Sequence, residues 1–193
     1  MRPSKRDELV RKALEIFDRL GYQAAGMDTL VAETGISKTT MFKHFRTKDD
    51  LILAVLRYRD ETFRNWFFKQ LDESGLPPGE KLLHVFDLLE DWFGEPSFKG
   101  CMFIKASAEF QEKAHPAHVQ SAEHKRLLRQ AILELAGQTG VSDPELLTRQ
   151  VMLLIEGAIV SAQMGTDRDP SAVAKKAARQ LLECGMRPQS TVN

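Results

Sequence analysis

Residues 35–45, GISKTTMFKHF, constrain this chain more than any other stretch. Gly35 supplies a sterically permissive corner at which one helix can stop and the chain can turn sharply. Ser37 then stands free to cap a new helix over residues 38–44. In that helix Met41 and Phe45 lie four apart and share one face, while Lys38, Thr39, Thr40, Lys43 and His44 leave the rest polar or basic. Upstream, residues 28–34 contain Leu30 and Val31 and are long enough for two helical turns. The pattern predicts a helix-turn-helix whose second helix is anchored by two apolar side chains. Its other side chains are of the kinds that reach phosphates and base edges in a major groove.

The surroundings are helical too, with apolar residues recurring at three and four and no confident strand pattern. Ser4 and Asp7 have capping-box spacing at the start of a first helix over residues 4–20, which turns Leu9, Val10, Ala13, Leu14, Phe17 and Leu20 inward and stops at Gly21. Thr47 and Asp50 repeat the spacing at the start of a long fourth helix. Its stripe of Leu51, Ile52, Val55, Leu56, Phe63, Trp66, Phe67 and Leu71 runs to the breaker GLPPG at residues 75–79. Further helices are expected over residues 82–93, 101–113, 117–136 and 144–164, with a last one from Asp169-Pro170 closed by Gly185. The fold class is therefore all-α.

At 193 residues and 42% hydrophobic content, the chain builds a normal core. No apolar run reaches the roughly 18 residues a membrane span needs, and the charged start of the chain has no signal-peptide pattern. Two cysteines, Cys101 and Cys184, make no secreted disulfide framework, so a cytoplasmic, reducing setting is expected. The formal net charge is zero, but unevenly spread. Residues 1–48 hold ten Lys or Arg against six Asp or Glu, and the remainder holds 17 against 21. A basic N-terminal part on an acidic body concentrates a positive field where phosphates would lie.

Ala13, Phe17, Gly21, Leu30-Val31-Ala32, Gly35 through Phe42, His44-Phe45, Lys48 and Leu51, at these spacings, resemble the TetR family of bacterial transcriptional regulators over residues 9–56. The resemblance implies an N-terminal three-helix DNA-binding unit (1–48) and a C-terminal helical bundle (49–193) for ligand binding and dimerisation. It implies a sequence-specific regulator, most often a repressor released from a palindromic, double-stranded operator by a small-molecule effector, with no catalytic residues, metal or cofactor. Position assigns Lys38 and Thr39 to base edges, and Ser37, Thr40, Lys43, His44 and Lys48 to phosphates. Two residues depart from the family's common pattern. Thr39 stands where many relatives have Gly, so a thymine-reading methyl and a hydroxyl enter the groove. Phe42 stands where many have Tyr, keeping the ring but losing a phosphate hydrogen bond. The stretch Gly100-Cys101-Met102-Phe103, with Glu109-Phe110 after it, is similar to one branch of the family.

In the family, aromatic residues of the bundle often line an effector cavity; here Phe63, Trp66, Phe67, Phe86, Trp92, Phe93, Met102, Phe103, Phe110 and Met152 are the candidates. The last two long helices usually pair with their copies, so Leu128, Ile132, Leu154, Gly157, Ala158, Ser161 and Ala162 are the expected dimer face. The fourth helix is the expected lever between effector and DNA. Two other readings compete. Glu112, His115, His118 and His124 allow a metal-dependent helical enzyme to be imagined, but Pro116 breaks their helical register. A helix-turn-helix used only for protein contacts has no need of Lys38, Lys43, His44, Arg46 and Lys48 around one helix. Cys101 is expected to be a buried thiol rather than a redox sensor.

Overall fold

A computed structural model describes residues 4–186; residues 1–3 of the expected first unit and 187–193 of the second lie outside it. The described residues form helices α1 (Lys5–Leu20), α2 (Met27–Thr34), α3 (Lys38–His44), α4 (Lys48–Glu73), α5 (Pro78–Gly94), α6 (Met102–Glu109), α7 (Pro116–Gly137), α8 (Pro144–Met164) and α9 (Pro170–Met186), with no strand among them. None of these helices is long and apolar enough to cross a membrane.

Helix starts follow local chemistry. Ser4 Oγ accepts the Asp7 N–H at the start of α1. At the start of α4, Asp50 N–H donates to Thr47 Oγ1 while Thr47 N–H donates to Asp50 Oδ2, a reciprocal capping box. Asp143 caps α8 by accepting the Leu146 N–H at 2.9 Å, with Pro144 at the first helical position. Tertiary packing shifted three details. Leu20, expected inward, is 37% exposed, and Ile16 takes the buried place on α1. Helix α6 stops at Glu109 rather than continuing to 113. Gly185 does not close α9 but lies within it, where an added Cβ would sit 3.2 Å from Val141 Cγ1, so its lack of a side chain permits close packing.

Contacts divide the chain elsewhere than at residue 48. One compact unit comprises the residues up to Arg64 together with Cys101–Lys125; the other comprises Asn65–Gly100 and the residues from Arg126 onward. In the first unit Leu9, Val10, Ala13, Ile16 and Phe17 of α1 are buried, as are Leu30, Met41, Leu51, Ile52, Val55 and Leu56. In the second, α5, α8 and α9 pack on one another. Helix α5 buries Leu82, Leu83, Val85, Phe86, Leu88, Leu89 and Trp92. Lys175 of α9 bridges to both carboxylate oxygens of Asp87 on α5, at 2.6 and 2.7 Å.

A polar cluster is buried in the first unit. Arg64 grips Asp60 with two hydrogen bonds of 2.9 Å, and His124 Nδ1 lies 2.7 Å from Asp60 Oδ1. The Phe103 ring stacks on the imidazole, with centroids 3.7 Å apart. Burial pushes the His124 pKa down from 6.5 to about 4, overriding the opposite pull of Asp60, so the neutral ring donates its Nδ1–H to the carboxylate. Burial alone would raise Asp60, but the hydrogen bonds from Arg64 and His124 outweigh it and hold the carboxyl below its usual range.

The unfolded chain protonates His124 below about 6.5, whereas the folded chain resists until about 4. Between those values the unfolded state binds the extra proton, so stability falls with falling pH, by at most about 1.4 kcal/mol per pH unit. Asp60 adds little above about pH 4.5, because its unfolded carboxyl titrates mainly below that. Urea midpoints measured from pH 7 to 4.5 are expected to fall, and His124→Gln to flatten the slope. An equally steep slope in the variant would remove His124 as its source.

Candidate nucleic-acid interface

The turn between α2 and α3 is built from glycine conformation and short polar bonds. Gly35 adopts φ 67°, a left-handed position favouring glycine, and its N–H reaches Val31 O at 3.1 Å to close α2. Thr34 is buried; its hydroxyl donates to Leu30 O at 2.6 Å and accepts the Ile36 N–H at 3.2 Å. Lys12 of α1 donates to Thr34 O at 2.7 Å, so the corner is tied to α1. Ser37 then caps α3 by accepting the Thr40 N–H.

Helix α3 is anchored as its spacing implies. Ile36, Met41 and Phe45 are buried, and the Arg6 guanidinium stands 5.2 Å above the Phe45 ring. Ser37, Lys38, Thr39, Phe42, Lys43 and His44 are all exposed, and Thr40 is half-buried with its hydroxyl 2.9 Å from that of Ser37. Phe42 is 45% exposed, a large ring on an otherwise polar surface. Lys38 Nζ lies 3.4 Å from Asp28, a solvent-exposed pair of little strength that a phosphate can displace. Lys48 differs. It is half-buried, donates to Gln23 O at 3.0 Å, and burial lowers its pKa.

The aromatic candidates fall into separate groups. In the first unit, Phe103 stacks on His124, Phe63 meets that ring edge-on at 5.8 Å, and Phe110 stacks on His115 at 4.3 Å; Met102 is buried. In the second, Trp66 neighbours Phe67 at 6.5 Å, Trp92 and Phe93 each lie 5.0 Å from Phe98, Phe86 is buried and Met152 half-buried. On the expected dimer face, Leu128, Ile132 and Ala158 are turned into the chain's own core, Leu154, Ser161 and Ala162 are half-buried, and Gly157 is exposed. The apolar residues that α8 leaves exposed are Leu146, Leu153 (74%), Val160 and Met164 (68%), and α9 leaves Val173. Spacing alone marked the small residues and missed this stripe, because which side of α8 meets α5 and α9 is a tertiary fact.

The three histidines among the imagined metal ligands are each engaged elsewhere. His115 stacks on Phe110, His118 Nδ1 lies 3.0 Å from Phe110 O, and His124 serves Asp60. Among the described residues no three His, Cys, Asp or Glu converge to hold a metal ion. Cys101 is buried and Cys184 exposed. Sequence reasoning also missed Glu109, Lys105 and Gln23, which join α6 to the end of α1. Each of these contacts spans more than 80 positions, beyond the reach of any local signal.

A family model for bacterial regulatory proteins of the tetR family matches residues 9–55. The solved structure of a TetR-type transcriptional regulator, sav143, from Streptomyces avermitilis is 30% identical, with a TM-score of 0.84 over 95% of this chain and 98% of that one. The TetR-family regulator SCO4454 from Streptomyces coelicolor superimposes with a TM-score of 0.86 at 28% identity, covering 94% of this chain and 96% of that one. The HTH-type transcriptional regulator YjdC of Escherichia coli K12 is 19% identical over 178 residues, 92% of this chain and 93% of its own length. With an exposed, polar α3 set on a buried anchor and near-complete coverage of such relatives, the chain belongs to the TetR family, as a DNA-binding transcriptional regulator and not an enzyme.

Proposed function

We propose that this protein is a homodimeric repressor that binds a palindromic operator and is released by a small, largely apolar effector. The observation that carries the DNA contact is the outward surface of α3. Lys38, Thr39, Lys43 and His44 are exposed, while Met41 and Phe45 hold the helix from behind. Lys38 and Thr39, in the first turn, are assigned to base edges. Ser37, Thr40, Lys43 and His44 are assigned to phosphates, and Phe42 to apolar contact where a phosphate hydrogen bond is absent.

Two copies are needed because a palindrome presents its half-sites one DNA turn apart, roughly 34–36 Å. Leu146, Leu153, Gly157, Val160 and Met164 recur at helical spacing along one exposed side of α8, and Val173 is exposed on α9. An exposed stripe of this kind supports pairing with a second copy, with Leu154, Ser161 and Ala162 beside it. The effector is assigned to the aromatic side chains, Phe63, Met102, Phe103 and Phe110 in one unit and Trp66, Phe67, Phe86, Trp92, Phe93 and Met152 in the other. An effector relieves repression only if it binds the operator-competent and incompetent states with different affinity.

Selection of bound duplexes from a random pool is expected to return a palindrome. Lys43→Ala is expected to weaken binding to all duplexes alike and to reduce the slope of log affinity against log salt by about one. Thr39→Ala is expected instead to change base preference at one position of each half-site, by about 1–3 kcal/mol. If both variants lost affinity without any change in preference, the division of roles would be wrong. Leu153→Glu is expected to convert dimers to monomers in light scattering and to cost operator affinity; a persistent dimer would place the interface elsewhere.

A further inference from the structure

Helix α6 is bonded along its length to the end of α1. Tyr22 Oη donates to Met102 O at 3.0 Å, out of water, and burial pushes the phenol pKa up. One turn on, Lys105 Nζ donates to Asp18 Oδ1 at 2.8 Å and to Asp18 O at 3.0 Å. At the helix end, the Glu109 carboxylate accepts the Tyr22 N–H at 3.0 Å and the Gln23 N–H at 2.7 Å. Gln23 Nε2 donates back to Glu109 O at 2.7 Å. Gly21, at φ 88°, leaves room for this, since an added Cβ would lie 3.0 Å from Glu109 Oε1.

The C=O of Gln23 is also held. Its carbonyl accepts from Lys48 Nζ at 3.0 Å, and Lys48 is the first residue of α4. The Gln23 main chain between α1 and α2 is thus gripped at its N–H by an anion from the end of α6 and at its C=O, in the next peptide group, by a cation from the start of α4. Charge-assisted bonds of this kind are about twice as strong as neutral ones. Helix α3 lies between these fixed points in the chain, reached from Gln23 through α2 and leading into α4 through residues 45–47.

We propose that Glu109 and Lys48 are positioning residues for DNA binding, which act through the Gln23 main chain to set how α3 is presented. Lys48 then aligns the helix-turn-helix from within instead of gripping a phosphate, and α6 influences α3 without touching DNA. The inference rests on the DNA-binding role of α3.

Simple electrostatics predicts the opposite sign for Glu109. Removing a negative charge from a DNA-binding unit strengthens attraction to phosphates, whereas loss of a positioning group weakens binding. The test measures affinity of the full-length protein for its selected operator from low to high salt, with thermal unfolding as a check on folding. Glu109→Gln is expected to bind about tenfold more weakly, the equivalent of one to two lost hydrogen bonds. Lys48→Met is expected to lose a similar factor with an unchanged salt slope, and Lys48→Arg, which keeps a donor, to recover most of it. Because both residues act on the main chain of one residue, Gln23, the double variant Glu109→Gln/Lys48→Met is expected to lose little more than either alone. Gln23→Ala at an exposed position removes one side-chain bond without disturbing the core, and is expected to cost about threefold by the same reasoning.

Tighter binding by Glu109→Gln, a salt slope reduced by about one in Lys48→Met, or fully additive losses would each overturn the proposal. If Glu109→Gln or Lys48→Met does not fold, an unchanged affinity in Gln23→Ala would overturn it. Lys43→Ala separates the two levels of argument. If that variant leaves the salt slope unchanged, the role of α3 itself has failed; if it lowers the slope while the junction variants behave as charge changes, only the positioning role has.

Discussion

The burial of Ile36, Met41 and Phe45 is the constraint on which the DNA-facing surface depends. A helix as short as α3 has too few internal hydrogen bonds to persist by itself in water, since nucleation is costly and each added residue contributes little. Its stability comes from the apolar side chains it lowers into the first unit and from the cap at Ser37. Once these are satisfied, the rest of its surface is free of structural duty. Lysines, threonines and a histidine can then face outward without loss of stability, and the surface can be tuned for DNA.

The same unit contains more of the chain than a helix-turn-helix requires. Helix α6 and the first part of α7 cluster with it, through hydrogen bonds to Asp18, Tyr22 and Gln23 and through the buried Asp60, Arg64 and His124 group. Burying a carboxylate is costly unless its oxygens are satisfied, and Arg64 and His124 satisfy both. Such a cluster tolerates few alternative arrangements. The elements around α3 are therefore held by directional bonds as well as by apolar packing, which suits a unit that must present side chains at set spacings to DNA.

Much of this was legible in the chain itself. Ser4 with Asp7, Thr47 with Asp50, and Asp143 before Pro144 each marked a helix start, because capping is decided within three or four residues. Gly35 marked the corner for the same reason. The errors lie where locality ends. Leu20 has the right spacing to be buried but is exposed, although Phe17 in the same last turn is fully buried. Gly185 has the signature of a helix stop, yet it is a close-packing site against Val141 inside α9. Ile132 and Ala158 have the spacing of an interface and belong to the chain's own core.

What the sequence by itself determined is the helical architecture and the reading surface of α3. Both depend on periodicity, caps and corners within a few residues of each other. What only the tertiary structure decided is who holds that surface in place. Glu109 meets Gln23 across 86 positions and Lys105 meets Asp18 across 87, and no local pattern distinguishes these from other surface charges. Lys48 carries the lesson most plainly. Its place beside α3 implied a phosphate contact; the structure adds that its ammonium donates to the Gln23 carbonyl, because three helix ends converge there and a half-buried cation needs an acceptor within reach.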